Sequence, residues 1–143
     1  MYNKIKRCFD LFFSIIGLVI LSPLFLFVIV VLLFSGDGEV FYLQKRMGYK
    51  NKSFLIYKFA SMVKNSSLIG NKTVTLRNDP RITKFGKFLR MSKINELPQI
   101  LNVFKGEMSF VGPRPILISS YKKYSPKIQK SIYQSKPGIT GIG

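Results

Sequence analysis

The first feature along the chain is an apolar run, Leu11–Phe34, with no charge in 24 positions. Such a run is apolar on every side of a helix, so it predicts a membrane segment rather than the core helix of a small soluble domain. Drawn as a straight helix it would extend about 36 Å, enough to cross a bilayer. Pro23 lies at its middle, directly after Ser22. Proline removes a backbone hydrogen bond and clashes with the preceding turn, so a bend is expected there, with the Ser22 hydroxyl meeting part of the freed backbone. Each half then reaches only about 18 Å, too short to span alone. Lys4, Lys6 and Arg7 precede the run, and Lys45, Arg46, Lys50 and Lys52 follow it. Cations on both flanks give no charge asymmetry, so a re-entrant hairpin with both ends cytoplasmic and a kinked spanning helix stand level on these grounds. No small-residue cleavage pattern closes the run, which argues against a signal peptide.

After a turn at Gly36–Gly38 the polarity pattern becomes mixed. Val40–Gln44 and Phe54–Phe59 are short runs of β-formers and predict two strands, with turn-rich residues 48–53 between them. Asn65–Asn78 is polar and predicts an irregular excursion. Thr83–Ser92 predicts a helix, with Phe85, Phe88 and Leu89 at helical spacing and Lys84, Lys87 and Arg90 between them. That basic amphipathic pattern suits a membrane surface, and equally a core-facing helix with a solvated basic face. Asn95 is the expected cap of the next helix, with Pro98 in its first turn, Leu97, Ile100, Leu101 and Phe104 on its apolar face, and Gly106 as its stop. Residues 111–115 predict a stiff loop in which two prolines flank Arg114. Ile116–Gln134 has helical character broken at Pro126, and residues 137–141 read as a constrained turn.

Charge narrows the partners. There are 23 Lys and Arg against 6 Asp and Glu, a net +17, which points to an anionic partner. With no histidine, His-based bases and His metal ligands are excluded. Cys8 is the single cysteine, so no internal disulfide or Cys-rich zinc site can form; a small buried thiol is the expected role. Walker, dinucleotide-binding and RNA-binding motifs are absent, so nucleic acid rests on charge alone, and lipid phosphate beside a membrane segment is the more economical partner. Carboxylate chemistry must come from Asp10, Asp37, Glu39, Asp79, Glu96 and Glu107. Glu96, at an expected helix start, stands out among them, although a helix-start acid is equally at home there. Arg114 on a proline-stiffened loop would lose little entropy on gripping a phosphate, and Arg81 and Arg90 are further phosphate-binding candidates.

Taken together, the motifs resemble those of the bacterial sugar transferases, the monotopic polyprenyl-phosphate phosphoglycosyl transferases. The matching landmarks begin with Lys6-Arg7-Cys8-Phe9-Asp10, Ser22-Pro23, Val40-Phe41-Tyr42 and Tyr57-Lys58-Phe59. They continue with Asp79-Pro80-Arg81, Leu89-Arg90, Glu96-Leu97-Pro98-Gln99, Val111-Gly112-Pro113-Arg114-Pro115 and Pro137-Gly138-Ile139-Thr140-Gly141. The resemblance implies an α+β fold: a re-entrant membrane helix-break-helix over residues 1–36, turned back at Ser22-Pro23, then a small, mostly helical cytoplasmic domain over 37–143 with short strands and interfacial helices. It implies transfer of a sugar phosphate from a UDP-sugar to polyprenyl phosphate at the cytoplasmic face of the bacterial inner membrane, with release of UMP. Mg²⁺ is the implied cofactor, Glu96 its ligand, and membrane lipids are further partners; nucleic acid is not one, and a homo-oligomer is compatible. In the family the Asp of an Asp-Glu pair carries a covalent phospho-sugar intermediate.

Two residues depart from that pattern. Asn95 occupies the position of the nucleophilic Asp, and a neutral amide is a poor nucleophile and a weaker Mg²⁺ ligand than a carboxylate. Ala60 stands where the family has Arg. Relatives are expected to continue past Gly143, so the cytoplasmic domain is expected to be C-terminally incomplete. Three readings follow: an active transferase working through Glu96 or by direct transfer, a non-catalytic binder of polyprenyl phosphate or a partner transferase, and an inactive fragment.

Overall fold

A computed structural model describes residues 2–35, 38–64, 66 and 79–141. Most of the predicted excursion at 65–78, and residues 36 and 37 of the predicted turn, lie outside the described residues. Helix and strand are mixed. In chain order the elements are α1 (Tyr2–Phe34), β1 (Phe41–Met47), β2 (Ser53–Phe59), α2 (Lys84–Met91), α3 (Gln99–Lys105), β3 (Ser109–Val111), α4 (Ile118–Tyr121), α5 (Pro126–Ile132) and β4 (Gly138–Thr140). β1 and β2 pair in one sheet, and β3 pairs with β4 in another. The chain divides into two compact units, one of Met1–Leu21, Leu43–Tyr57 and Pro98–Gly143, the other of Ser22–Tyr42 and Lys58–Leu97.

Pro23 does not end the first helix. α1 is a single helical element that contains it, so the predicted break is not a loss of helical backbone. The boundary between the two units nevertheless falls between Leu21 and Ser22. Residues Lys4–Phe34 are long and apolar enough to cross a membrane. Only 11% of the most apolar stretch is buried within the structure, whereas the core helix of a soluble protein is mostly covered.

In the first unit, Ile56, Val103 and Met108 form a core joined by Phe54, Phe110 and Ile139. The N-terminal part of α1 is tied to it by polar contacts. Arg7 donates to the carbonyls of Val103 and Phe104 at 2.6 Å each, closing the C-terminal end of α3. Buried Asp10 accepts from the Ser109 hydroxyl at 3.0 Å and from the Phe110 amide at 3.3 Å. Cys8 is exposed, contrary to the expectation of a buried thiol. Two residues along a helix is a rotation of about 200°, which turns Cys8 away from the face that buries Asp10.

Two further expectations are corrected here. Residues 137–141 are not a turn: Gly138–Thr140 is strand β4, parallel to β3 with Ser109 opposite Gly138 and Val111 opposite Thr140. Pro137 precedes the paired residues, so its missing N–H leaves the ladder intact. A Cβ at Gly138 would meet the Gly112 amide nitrogen at 2.1 Å, and only glycine lets these backbones approach. Of the predicted apolar face of α3, Ile100 is buried, Leu97 and Leu101 are half-buried and Phe104 is exposed, while Gln99, Asn102 and Val103 join Ile100 inside. Asn102 is internal because it replaces a strand partner. Its amide oxygen accepts from the Tyr57 amide at 3.0 Å, and its nitrogen donates to the Leu55 carbonyl and to Glu107, each at 2.7 Å.

In the second unit, Val28, Leu32, Phe59 and Leu89 form the core, flanked by Leu24, Phe25, Ile29, Val40, Phe85 and Ile94. Phe59 is its centre, with Phe25 edge-on at 5.4 Å and Phe41 stacked at 5.6 Å between ring centroids.

Candidate functional site

The site in the second unit is built on a turn that precedes α2. Arg81 is buried and forks onto Asp79, with Nε on one carboxylate oxygen at 2.8 Å and Nη2 on the other at 2.5 Å, while Nη1 donates to the Ser66 carbonyl. The Asp79 hydrogen bond raises the Arg81 pKa, outweighing the desolvation that lowers it. Arg81 therefore fastens the turn, and its bidentate face is used within the protein. The turn pairs with the end of the β2 segment through a bridge between Met62 and Ile82, and through the Thr83 amide donating to the Ser61 carbonyl at 3.2 Å. Thr83 caps α2 by accepting from the Gly86 amide at 2.9 Å.

Gly86 lets α2 lie directly on Ser61. A Cβ there would stand 2.1 Å from the Ser61 carbonyl oxygen, a backbone atom that cannot swing aside. The close approach brings Arg90 Nε to the Ser61 hydroxyl at 2.8 Å. Gly86→Ala is expected to cost about 2–3 kcal/mol by overpacking. A urea melt of the variant checks this, and a midpoint equal to that of the parent would show that α2 shifts without loss.

Arg90 is partly buried, and desolvation lowers its pKa; Asp79 and Glu96 act in the opposite direction, while Arg81 adds to the lowering. It thus stands as a partly desolvated cation within electrostatic reach of Glu96. After α2, Lys93 takes a left-handed conformation (φ 61°) and starts a short 3₁₀ turn, Ile94–Glu96. Leu97 and Pro98 continue with helical backbone angles, and the residue before α3 is Pro98, which offers no side-chain cap. Asn95 is therefore not the predicted cap; it lies inside this turn. Its amide oxygen is buried and has no hydrogen-bond donor among the described residues. Glu96 is held by Lys58 Nζ at 2.7 Å, with side-chain exposures of 32% and 16%, so the pair is shielded but reachable.

Asn95, Glu96, Arg81 and Arg90 belong to one unit and Arg114 to the other. Arg114 is exposed on the loop after β3, and its guanidinium makes no hydrogen bond or ion pair among the described residues. Lys58 is the site residue that sequence reasoning left without a role. The signal was a lysine inside a strand of β-formers, between Tyr57 and Phe59, in a chain with only 6 carboxylates to pair with.

No three Asp, Glu, Cys or His residues cluster among the described residues, so an all-protein metal cage is not formed there. Mg²⁺ is commonly held by one or two carboxylates plus substrate phosphates, and the shielded but reachable Glu96 carboxylate fits that sparser pattern.

The whole chain, residues 1–143, matches the family described as bacterial sugar transferase, and the protein belongs to that family. It is 36% identical to the exopolysaccharide production protein ExoY of Sinorhizobium fredii, over 96% of this chain and 66% of that protein. It is 40% identical to the undecaprenyl-phosphate galactose phosphotransferase of Salmonella typhimurium, over 96% of this chain and 32% of that protein. The exopolysaccharide production protein PSS of Rhizobium leguminosarum is 38% identical, with 96% of this chain and 72% of that protein covered. The chain thus spans from 32% to 72% of the length of these relatives.

Proposed function

We propose that this chain transfers a sugar phosphate from a UDP-sugar to polyprenyl phosphate at the cytoplasmic face of the bacterial inner membrane, initiating a surface polysaccharide or glycoconjugate. The observation that carries the reading is Glu96, a carboxylate held by Lys58 at 2.7 Å in a chain whose full length matches the family. The printed names of relatives support the substrates, since the Salmonella protein is an undecaprenyl-phosphate galactose phosphotransferase. Glu96 attacks the phosphorus that bears the sugar, and UMP leaves with the electrons of the cleaved phosphoanhydride bond. A polyprenyl phosphate oxygen then displaces Glu96 from that phosphorus, restoring the carboxylate and leaving a diphosphate-linked lipid. The ion pair aims the Glu96 carboxylate, and Arg90 in the same unit offsets phosphate charge; Arg114 is a separate phosphate-ligand candidate on its own unit. Glu96 and substrate phosphates would hold Mg²⁺, which would supply charge neutralisation at the diphosphate.

The same reading includes a re-entrant α1. Cations on both flanks of the apolar run and Ser22-Pro23 at its middle support a turn back to the cytoplasmic side. On α2, Phe88 and Met91 are 55% and 77% exposed beside Lys84 and Lys87, as suits a helix lying in the headgroup region.

Asn95 favours a second reading, a non-catalytic binder of polyprenyl phosphate or of a partner transferase. UMP release separates the two, measured on the protein in nanodiscs with Mg²⁺, undecaprenyl phosphate and a panel of UDP-sugars. Lipid-dependent release is expected. Lipid binding without release would replace the transferase reading with the binder. If the amide alone disarms the site, Asn95→Asp raises release in a chain of full family length; an unchanged rate there removes the amide as the cause.

A further inference from the structure

The loop that carries Arg114 is held from both sides by groups that the proposed chemistry does not use. Pro113 and Pro115 restrict its backbone, and the Pro113 carbonyl accepts from the Gly138 amide at 3.0 Å. On the other side stands Tyr133, 1% exposed, its ring stacked on Tyr121 with centroids 6.5 Å apart. Its hydroxyl donates to the Arg114 carbonyl at 2.9 Å and accepts from the Ile116 amide at 2.9 Å. A second tie comes from Arg46, whose Nη1 donates to the Pro115 carbonyl at 3.2 Å. Gln44 aims that guanidinium by accepting from its Nε at 3.1 Å and its Nη2 at 2.6 Å. The Met47 amide adds a bond to the Ile116 carbonyl at 3.0 Å. The backbone from Pro113 to Ile116 is thus pinned at every residue, while the Arg114 side chain projects without a partner among the described residues.

We propose that Tyr133 is a positioning residue, whose hydroxyl bridges the Arg114 carbonyl and the Ile116 amide so that the Arg114 guanidinium is presented ready-placed to the diphosphate of a nucleotide donor. Acting as donor and acceptor at once requires a neutral phenol. Burial holds the Tyr133 pKa above its ordinary range, so the bridge is intact at neutral pH. A loosely held loop would have to be ordered on binding, and that cost would appear as lost affinity. A phenylalanine would keep the packing on Tyr121 and lose both bonds. The inference rests on the reading of Arg114 as a phosphate ligand, and the test separates the two.

The experiment is a double-mutant cycle read as the affinity for UDP, by calorimetry on the protein in nanodiscs with Mg²⁺, for the parent, Arg114→Ala, Tyr133→Phe and the double variant. Arg114→Ala is expected to weaken UDP by about ten- to a hundredfold, and Tyr133→Phe by about three- to tenfold. In the Arg114→Ala background Tyr133→Phe should have no further effect. An equal loss in both backgrounds, or no loss in either, overturns the positioning role while leaving Arg114 as a ligand. Unchanged UDP affinity in Arg114→Ala overturns the reading of Arg114 itself. Should Tyr133→Phe fail to fold, Gln44→Leu removes the acceptor that aims Arg46, and the same dependence on Arg114 is required of it.

Discussion

Replacing Glu96 by Gln is expected to reduce UMP release by about 10³-fold or more while leaving the fold in place. The carboxylate is the only acid in the turn after α2, and its neighbour Asn95 has no charge with which to substitute for it. Glutamine keeps the shape and an oxygen that can still accept from Lys58, now 2.7 Å from the carboxylate. The stability change should therefore be about 1 kcal/mol or less, because the partly exposed pair is screened by solvent. Loss of activity with a near-parental melting midpoint is the expected pair of results. A rate unchanged by Glu96→Gln would remove Glu96 from the chemistry, and transfer would then have to proceed directly from donor to lipid. Lys58→Met tests the positioning half of the argument. It should lower the rate without abolishing it, since the carboxylate stays while the cation that fixes its orientation goes.

Much of the architecture was legible because it rests on local rules. The apolar run Leu11–Phe34, the two β-rich runs and the Thr83–Ser92 helix follow from residue type and periodicity alone. What escaped depends on partners far away in the chain. The expected apolar face of α3 left Asn102 out, because its burial is decided by the distant backbone of Leu55 and Tyr57. The strand at Gly138–Thr140 looked like a turn because its glycines, read locally, signal bends; here they admit the Gly112 backbone. Asn95 was misplaced by one element since nothing local foretells that Lys93 adopts a left-handed conformation. In the site, residue identities were visible but commitments were not. Arg81 and Arg90 look alike in sequence, yet Asp79 occupies the first, and Ser61 meets the second through a single Nε.

The largest expected effect on stability is at Asn102. It has no exposed surface, and its amide serves three partners: the Tyr57 amide, the Leu55 carbonyl and the Glu107 carboxylate. Leucine has the same branched shape with bulkier methyl groups, so Asn102→Leu opens no cavity but crowds the site somewhat, and hydrophobicity taken alone would favour it. Polar satisfaction opposes the change and outweighs it. The variant leaves a strand N–H and a strand carbonyl without partners beside the core of Ile56, Val103 and Met108. It also removes the amide that donates to the half-buried Glu107 carboxylate. An unsatisfied buried group costs about 1–3 kcal/mol, more when charged, so the sum is expected to be about 3–5 kcal/mol, against a gain of about 1–2 from burying the leucine side chain. The net loss of about 2–3 kcal/mol should appear as a lower urea midpoint with the slope preserved. Asn102→Asp is the companion variant. It keeps an acceptor for the Tyr57 amide but sets a second carboxylate against Glu107 and the Leu55 carbonyl, so it should be worse than leucine at neutral pH and recover as the pH falls toward the carboxylate range. The sign follows from like charge: the folded-state pKa is raised above the unfolded value, so the penalty is fully present above that raised pKa and is relieved by protonation. If Asn102→Leu proved as stable as the parent, the α3 end would be held by packing alone, and the three hydrogen bonds would be a consequence of the fold rather than a cause.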